Sequence, residues 1–291
     1  MRVGTGPAKS LPPPEFCRQG KILAPGYPRT TGPTLLPAVP RPDPRETRCA
    51  RRMAAVRNRS LPTGGRAQLT PRLADRLWSG AAAQERCVLA HPFVTGLADG
   101  TLPLDRYHFY LRQDYVFLLE YARVLALAVA AAHDPADMDR LAGLLHATLH
   151  VEMDLHRRTC AEAGIFAAAL EAEEPAPFTF AYTRHLLVVA RSEPLGVLVA
   201  ALLPCQWGYA VIGRTLVARG PSPVAAYAAW IAAYASAEYR ENARYVWELT
   251  NRVGDVMGPA ERGRAEAAFQ ASFRYERMFW DGCWNGERWP V

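Results

Sequence analysis

The sequence predicts an all-α fold, a multi-helix bundle forming a single domain over residues 68–291. Three observations carry this. From Thr70 onward, apolar residues recur three and four positions apart, the spacing of one helix face. No window shows the period-2 alternation of β-branched residues that a strand needs. Boundaries between periodic runs carry a proline, a glycine or a capping side chain, so about eight helices pack antiparallel through short loops.

The elements follow in order. Thr70-Pro71 reads as a helix start, a hydroxyl cap with proline at the first position, and Leu73, Leu77, Trp78 and Ala81 continue on one face to about Ala90. His91-Pro92 ends that helix, and the next segment runs to the turn signal Asp99-Gly100. Asp105 is positioned to cap a long helix from Arg106 to about Ala132, stopped by Asp134-Pro135. A second long helix is expected from Pro135 to Ala163, with Gly164 as its stop. After a short piece at Phe166–Glu173, helices are expected at Phe178–Arg191, Pro194–Arg219, Pro223–Ala235, Glu238–Val253 and Pro259–Cys283.

Charge is unevenly distributed. Residues 1–67 carry 13 Lys/Arg against 3 Asp/Glu and hold 12 of the 24 prolines, while residues 68–291 carry 21 against 25. The first segment has no apolar period and is expected to be disordered. A basic tail and a transit peptide both compete as readings of it. The favoured one is a start placed too far upstream, with Met53 as the next candidate. The folded part is net acidic, which argues against nucleic-acid binding. Six widely spaced cysteines without a CxxC or zinc spacing, no signal peptide, and apolar windows too short for a membrane span (Val124–Ala132, Leu195–Leu203) point to a reduced, cytoplasmic protein.

Three stretches break the local pattern. Leu202-Leu203-Pro204-Cys205-Gln206-Trp207-Gly208-Tyr209 lies inside an apolar helix, where a proline costs about 3 kcal/mol. That proline stands beside a thiol, with the phenol of Tyr209 one turn on. Asp114 shares a face with Phe117, Leu118 and Tyr121, and Glu276 shares one with Phe279 and Trp280. A carboxylate on an apolar, aromatic face is expensive to bury without a partner. The bland readings are a core thiol at Cys205, an Asp114 paired with Arg112 or Arg123, and a Glu276 paired with Arg274 or Arg277.

His91-Pro92-Phe93-Val94 with Asp99–Pro103, then Gln113-Asp114-Tyr115, Tyr182-Thr183 with His185, Leu202–Tyr209, and Tyr275-Glu276 with Phe279-Trp280 stand in one order that resembles the TenA/thiaminase II family. The resemblance covers residues 70–285. It implies a heme-oxygenase-like bundle, a homotetramer, and a hydrolase of thiamin salvage acting on a small pyrimidine. The bond cut would be the exocyclic CH2–N bond of an aminopyrimidine and, less efficiently, of thiamin, with no cofactor and no metal. The family's nucleophile falls on Cys205, which marks the cysteine-bearing class. Its pyrimidine-gripping carboxylate falls on Asp114 and its catalytic acid on Glu276. Tyr182, Tyr209 and Tyr234 match pocket positions, and Phe117 stands where some members carry tyrosine, keeping the ring and losing the hydroxyl. The chemistry is coherent: sulfur addition breaks the ring's aromaticity, lets the ring nitrogens expel the amine, and replaces one hard step by easier ones.

Two rivals use the same fold. A di-iron or heme oxidase would draw on Glu152 and His156, with His150 and Glu120 nearby. A di-iron site needs carboxylate and histidine pairs from different helices, and no histidine follows His185. Glu152 and His156 read instead as a structural hydrogen-bonded pair outside the site. A catalytically inactive helical regulator is the other rival, and the intact set Asp114, Cys205 and Glu276 argues against it.

Overall fold

A computed structural model describes residues 71–290, and twelve α-helices order these described residues. They are α1 Leu73–Gly80, α2 Ala82–Leu89, α3 Pro92–Asp99, α4 Leu104–Ala131, α5 Pro135–Ala147, α6 Met153–Glu162, α7 Ala167–Glu171, α8 Pro177–Ser192, α9 Leu195–Val217, α10 Ala225–Tyr234, α11 Ala237–Val256 and α12 Pro259–Asn285. A five-residue π-turn, Thr148–Glu152, joins α5 to α6. No strand occurs among the described residues. The expectations for residues 1–67, for Met53 and for a Thr70 cap lie outside the described residues.

The centre of the bundle is α9. It is apolar all round, which requires a buried position; it packs against α12, α11, α10 and α8. By length and composition it could cross a membrane, but 83% of its most apolar window is buried inside the protein. It is thus longer than the short apolar window read from the sequence. Pro204 lies within it and has no N–H to give the preceding turn. That cost of about 3 kcal/mol is offset locally by Leu202 and Leu203, both fully buried, each worth roughly 1.5–3 kcal/mol. The second axis is α4, which packs against α5, α6, α8 and α12.

Several boundaries differ from expectation for identifiable reasons. The first helix starts at Leu73, where Asp75 accepts a hydrogen bond from the Arg72 N–H at 3.2 Å, and it breaks at Ala81 into two. His91 opens a helix as well as closing one, its Nδ1 accepting from the Phe93 N–H at 3.1 Å ahead of Pro92. Asp105 makes no cap; α4 begins one residue before it, after Pro103. The expected helix from Pro135 to Ala163 is interrupted by the π-turn.

Two glycines are required by the packing. Gly100 ends α3 at φ +72°, where a Cβ would meet the Pro223 ring at 2.4 Å. At Gly213, a Cβ would stand 2.5 Å from the Tyr234 carbonyl carbon, so only glycine lets the end of α10 approach α9 this closely. That approach seats Tyr234 beside Tyr209, ring centroids 4.9 Å apart.

Candidate active site

The two long axes converge on one inner pocket. Asp114, Phe117 and Tyr121 reach it from α4, Cys205, Gln206 and Tyr209 from α9, Tyr234 from α10 and Tyr239 from α11, with Glu152 entering from the π-turn. The helical spacing of Asp114, Phe117, Leu118 and Tyr121 turns all four inward, and all are buried. Phe117 stacks near Tyr121 at 5.9 Å and leans on Tyr182 at 5.0 Å.

Asp114 is only 3% exposed and pairs with neither Arg112 nor Arg123, which lie against Glu173 and Glu120 respectively. Its Oδ2 accepts from the Tyr110 hydroxyl at 3.0 Å and lies 2.7 Å from His156 Nε2. His156 Nδ1 is 2.8 Å from the Glu152 backbone carbonyl, which can only accept. Nδ1 therefore donates to that carbonyl, and Nε2 shares a proton with Asp114 Oδ2. Burial works to lower the His156 pKa, but the hydrogen bond and charge of Asp114, helped by that carbonyl, hold it above its ordinary value. The expected Glu152–His156 pair is corrected in kind: the bond runs to the backbone of Glu152, and its carboxylate is left facing the pocket. With both nitrogens engaged, His156 has no lone pair for a metal.

Glu276, 5% exposed, pairs with neither neighbouring arginine. Its Oε1 accepts from the Tyr182 hydroxyl at 2.8 Å, across 94 residues of sequence. Burial pushes its pKa up to about 8 and the charge of Asp114 adds to this, with the Tyr182 bond working against them. Glu276 is thus largely protonated at neutral pH, the state of a general acid.

Burial likewise holds the Cys205 thiol well above its ordinary pKa. The charge of Glu276 adds to this, while the Gln206 backbone N–H and the Tyr182 hydroxyl work the other way. At rest it is a thiol, donating to the Leu202 carbonyl at 3.1 Å.

Of the residues picked from sequence, Asp114, Phe117, Cys205, Tyr209 and Tyr234 line the inner pocket together. Tyr182 and Glu276 do not line it. They form a bonded pair whose charge and hydroxyl act on Cys205, and Glu276 faces a separate small cavity with Trp78, Pro204 and Trp280. The sequence reading left out Gln206, Tyr239 and Glu152. Tyr121 and Gln206 are each 2% exposed. The Tyr121 hydroxyl and Gln206 Oε1 are buried without a well-formed hydrogen bond among the described residues, the hydroxyl lying near both the Gln206 side chain and the Cys205 thiol. Such groups are costly unless something else satisfies them, and both line the inner pocket. A polar Gln206 within an apolar helix was the available signal.

Comparison with known proteins places this geometry among relatives. Residues 80–286 match the TENA/THI-4/PQQC family. The chain is similar to the aminopyrimidine aminohydrolase of Halalkalibacterium halodurans, 41% identical over 200 residues, covering 68% of this chain and 89% of that one. It is similar to the aminopyrimidine aminohydrolase of Bacillus subtilis at 33% identity, covering 72% and 89%. Among solved structures, a TenA family transcription regulator from a Silicibacter species matches with a TM-score of 0.68 and 32% identity, covering 73% of this chain and 96% of that one.

Proposed function

The chain belongs to the TENA/THI-4/PQQC family, and we infer that it is an aminopyrimidine aminohydrolase of thiaminase II type. It is a hydrolase of thiamin salvage, and the bond it cuts is the exocyclic CH2–N bond of an aminopyrimidine. One observation supports the residue assignment above others: Cys205 and Asp114 open onto the same aromatic pocket, while Glu276 beside them is held in its acid form.

In this reading the pyrimidine lies between aromatic walls at Phe117, Tyr209 and Tyr234, which stack the flat ring and exclude water. Asp114, fixed by Tyr110 and His156, accepts hydrogen bonds from the ring's polar edge. The Tyr121 hydroxyl and Gln206 Oε1 are further contacts for that edge. Cys205 adds to an electron-poor ring carbon, and the displaced π-electron pair moves to a ring nitrogen. The proton lost from sulfur is matched by the proton gained at that nitrogen, with the Tyr182–Glu276 pair as the carrier. The nitrogen's electron pair then expels the leaving nitrogen, cationic before departure, as a neutral amine, breaking the CH2–N bond. Water adds to the exposed methylene and passes its extra proton to the released amine; sulfur then leaves, regains its proton from the ring nitrogen, and the ring is restored. Because the thiol is protonated at rest, proton transfer must accompany its attack.

Residues 68–291 are read as the whole catalytic domain, acting as a cytoplasmic homotetramer; light scattering of the purified protein tests the assembly. The chemistry is tested by ammonia release from 4-amino-5-aminomethyl-2-methylpyrimidine by the full chain, beside Cys205→Ser and with thiamin as second substrate. Turnover that collapses in Cys205→Ser is expected. Equal activity in the variant removes Cys205 as nucleophile, and inactivity of the wild type on both substrates overturns the reading.

A further inference from the structure

An outer chamber of about 230 Å³ adjoins the smaller inner pocket. Three side chains line both: Glu152, Tyr234 and Tyr239. These three side chains stand between the outer chamber and the pocket that Cys205 lines. The outer chamber adds Val151, Arg158 and Glu238, so its charged groups, Glu152 included, are two acids and one base.

In the pyrimidine reading, a substrate held at Asp114 turns its scissile methylene toward this crossing. A ring seated against Asp114 leaves its further substituents to the outer chamber, the roomier of the two. The Glu152 carboxylate stands at that crossing. Among the described residues it has no hydrogen bond or ion pair. Only the charges of Asp114 and of His156 act on it, in opposite senses, with burial the larger influence. The π-turn puts it there, directing its backbone carbonyl to His156 and leaving the side chain to the cavity. The neighbouring Tyr121 Oη and Gln206 Oε1, without well-formed hydrogen bonds, mark the inner side as built for a polar occupant.

We propose that Glu152 is a specificity residue that binds the substrate's exocyclic nitrogen as a cation, selecting a protonated aminomethyl group over neutral substituents at the same ring position. The inference rests on the pyrimidine reading of the pocket. A cation at this position is also the form in which nitrogen leaves most readily, as a neutral amine, so the same contact holds the leaving group in its departing protonation state.

The test is equilibrium binding by calorimetry to the full chain carrying Cys205→Ser, which prevents turnover, with and without Glu152→Gln. Two ligands are titrated at pH 8: 4-amino-5-aminomethyl-2-methylpyrimidine, cationic, and its neutral 5-hydroxymethyl counterpart. Loss of a charge-assisted hydrogen bond predicts at least a tenfold fall in affinity for the amine, about 1.4 kcal/mol. The fall for the alcohol should be threefold or less. Equal losses for both ligands overturn the proposal and make Glu152 a structural residue. Unchanged affinities overturn it too. If neither ligand binds the Cys205→Ser protein itself, the pyrimidine assignment falls and takes this inference with it. A thermal melt of each variant confirms that the comparison is between folded proteins, and a Glu152→Asp variant that keeps the amine preference would locate the effect in the charge.

Discussion

Replacing Glu276 by glutamine keeps an oxygen acceptor for the Tyr182 hydroxyl and removes a group whose pKa rises from 4.5 to about 8 on folding. A raised pKa means that the native state binds the proton more tightly than the unfolded chain. Wild-type stability from this group is therefore full below about pH 4.5 and is lost as pH rises through about 8. Each pH unit in that window costs about 1.36 kcal/mol. At pH 6 the loss is about 2 kcal/mol, and above pH 8 it levels off at about 5 kcal/mol. Glutamine has no such dependence. The stability difference between Glu276→Gln and wild type should thus move in favour of the variant by about 3 kcal/mol between pH 6 and pH 9. For a domain of this size that is roughly 6–12 °C in Tm. Urea unfolding of both proteins at the two pH values reads it directly. Other titrating groups, Glu152 among them, are common to both proteins and cancel. Parallel stability curves would refute the argument, because they would mean that Glu276 ionises in the folded protein as it does in the unfolded chain.

Activity should follow the same proton: kcat/KM falls as pH rises through about 8, where Glu276 loses its acid form. In Tyr182→Phe that limb should move to higher pH, because the lost hydroxyl had favoured the carboxylate; an unmoved limb in the pH–rate profile would separate Tyr182 from the acid. His156→Leu leaves Asp114 buried without its basic partner and should cost about 3–5 kcal/mol. Adding Asp114→Leu should return part of that loss, which thermal melts of the single and double variants can show. Gly213→Ala drives a methyl into the Tyr234 carbonyl and should cost about 1–3 kcal/mol. It should raise KM more than it lowers kcat, since it moves a pocket wall and leaves Cys205 in place.

The sequence made the faces legible and left the partners hidden. Asp114, Phe117 and Tyr121 turn inward together because helical period is a local property, and Glu276 turns in with Phe279 and Trp280 for the same reason. The arginines adjacent in sequence were candidate partners for both carboxylates, yet the observed partners come from other helices, His156 at 42 residues' separation and Tyr182 at 94. No local pattern encodes such distances; family resemblance pointed to Tyr182, and nothing in the sequence reading paired His156 with Asp114. The π-turn is similarly silent, since Thr148–Glu152 carries no proline or glycine, and it decides that the Glu152 side chain meets the cavity. Pro204, the costly residue in a buried helix, stands beside a thiol that lines the inner pocket.

In the proposed mechanism, Asp114 and Glu276 divide their labour through the partners the fold supplies. Both come from aromatic, apolar helix faces, so sequence alone makes them near equivalents. Asp114 meets a histidine whose other nitrogen is fixed by a backbone carbonyl and whose pKa is held above its ordinary value, a basic partner at 2.7 Å. Glu276 meets only a neutral phenol. A paired anion is suited to hold a ring's donors without itself giving up a proton, and an unpaired buried acid is suited to supply one. Environments that push two like groups apart assign acid and anchor. Exchanging the environments should therefore exchange the roles: placing a cation beside Glu276, as in Tyr182→Lys, should pull its pKa down and abolish turnover near neutral pH while substrate binding at Asp114 persists. Retained turnover in that variant would mean that the proton comes from elsewhere.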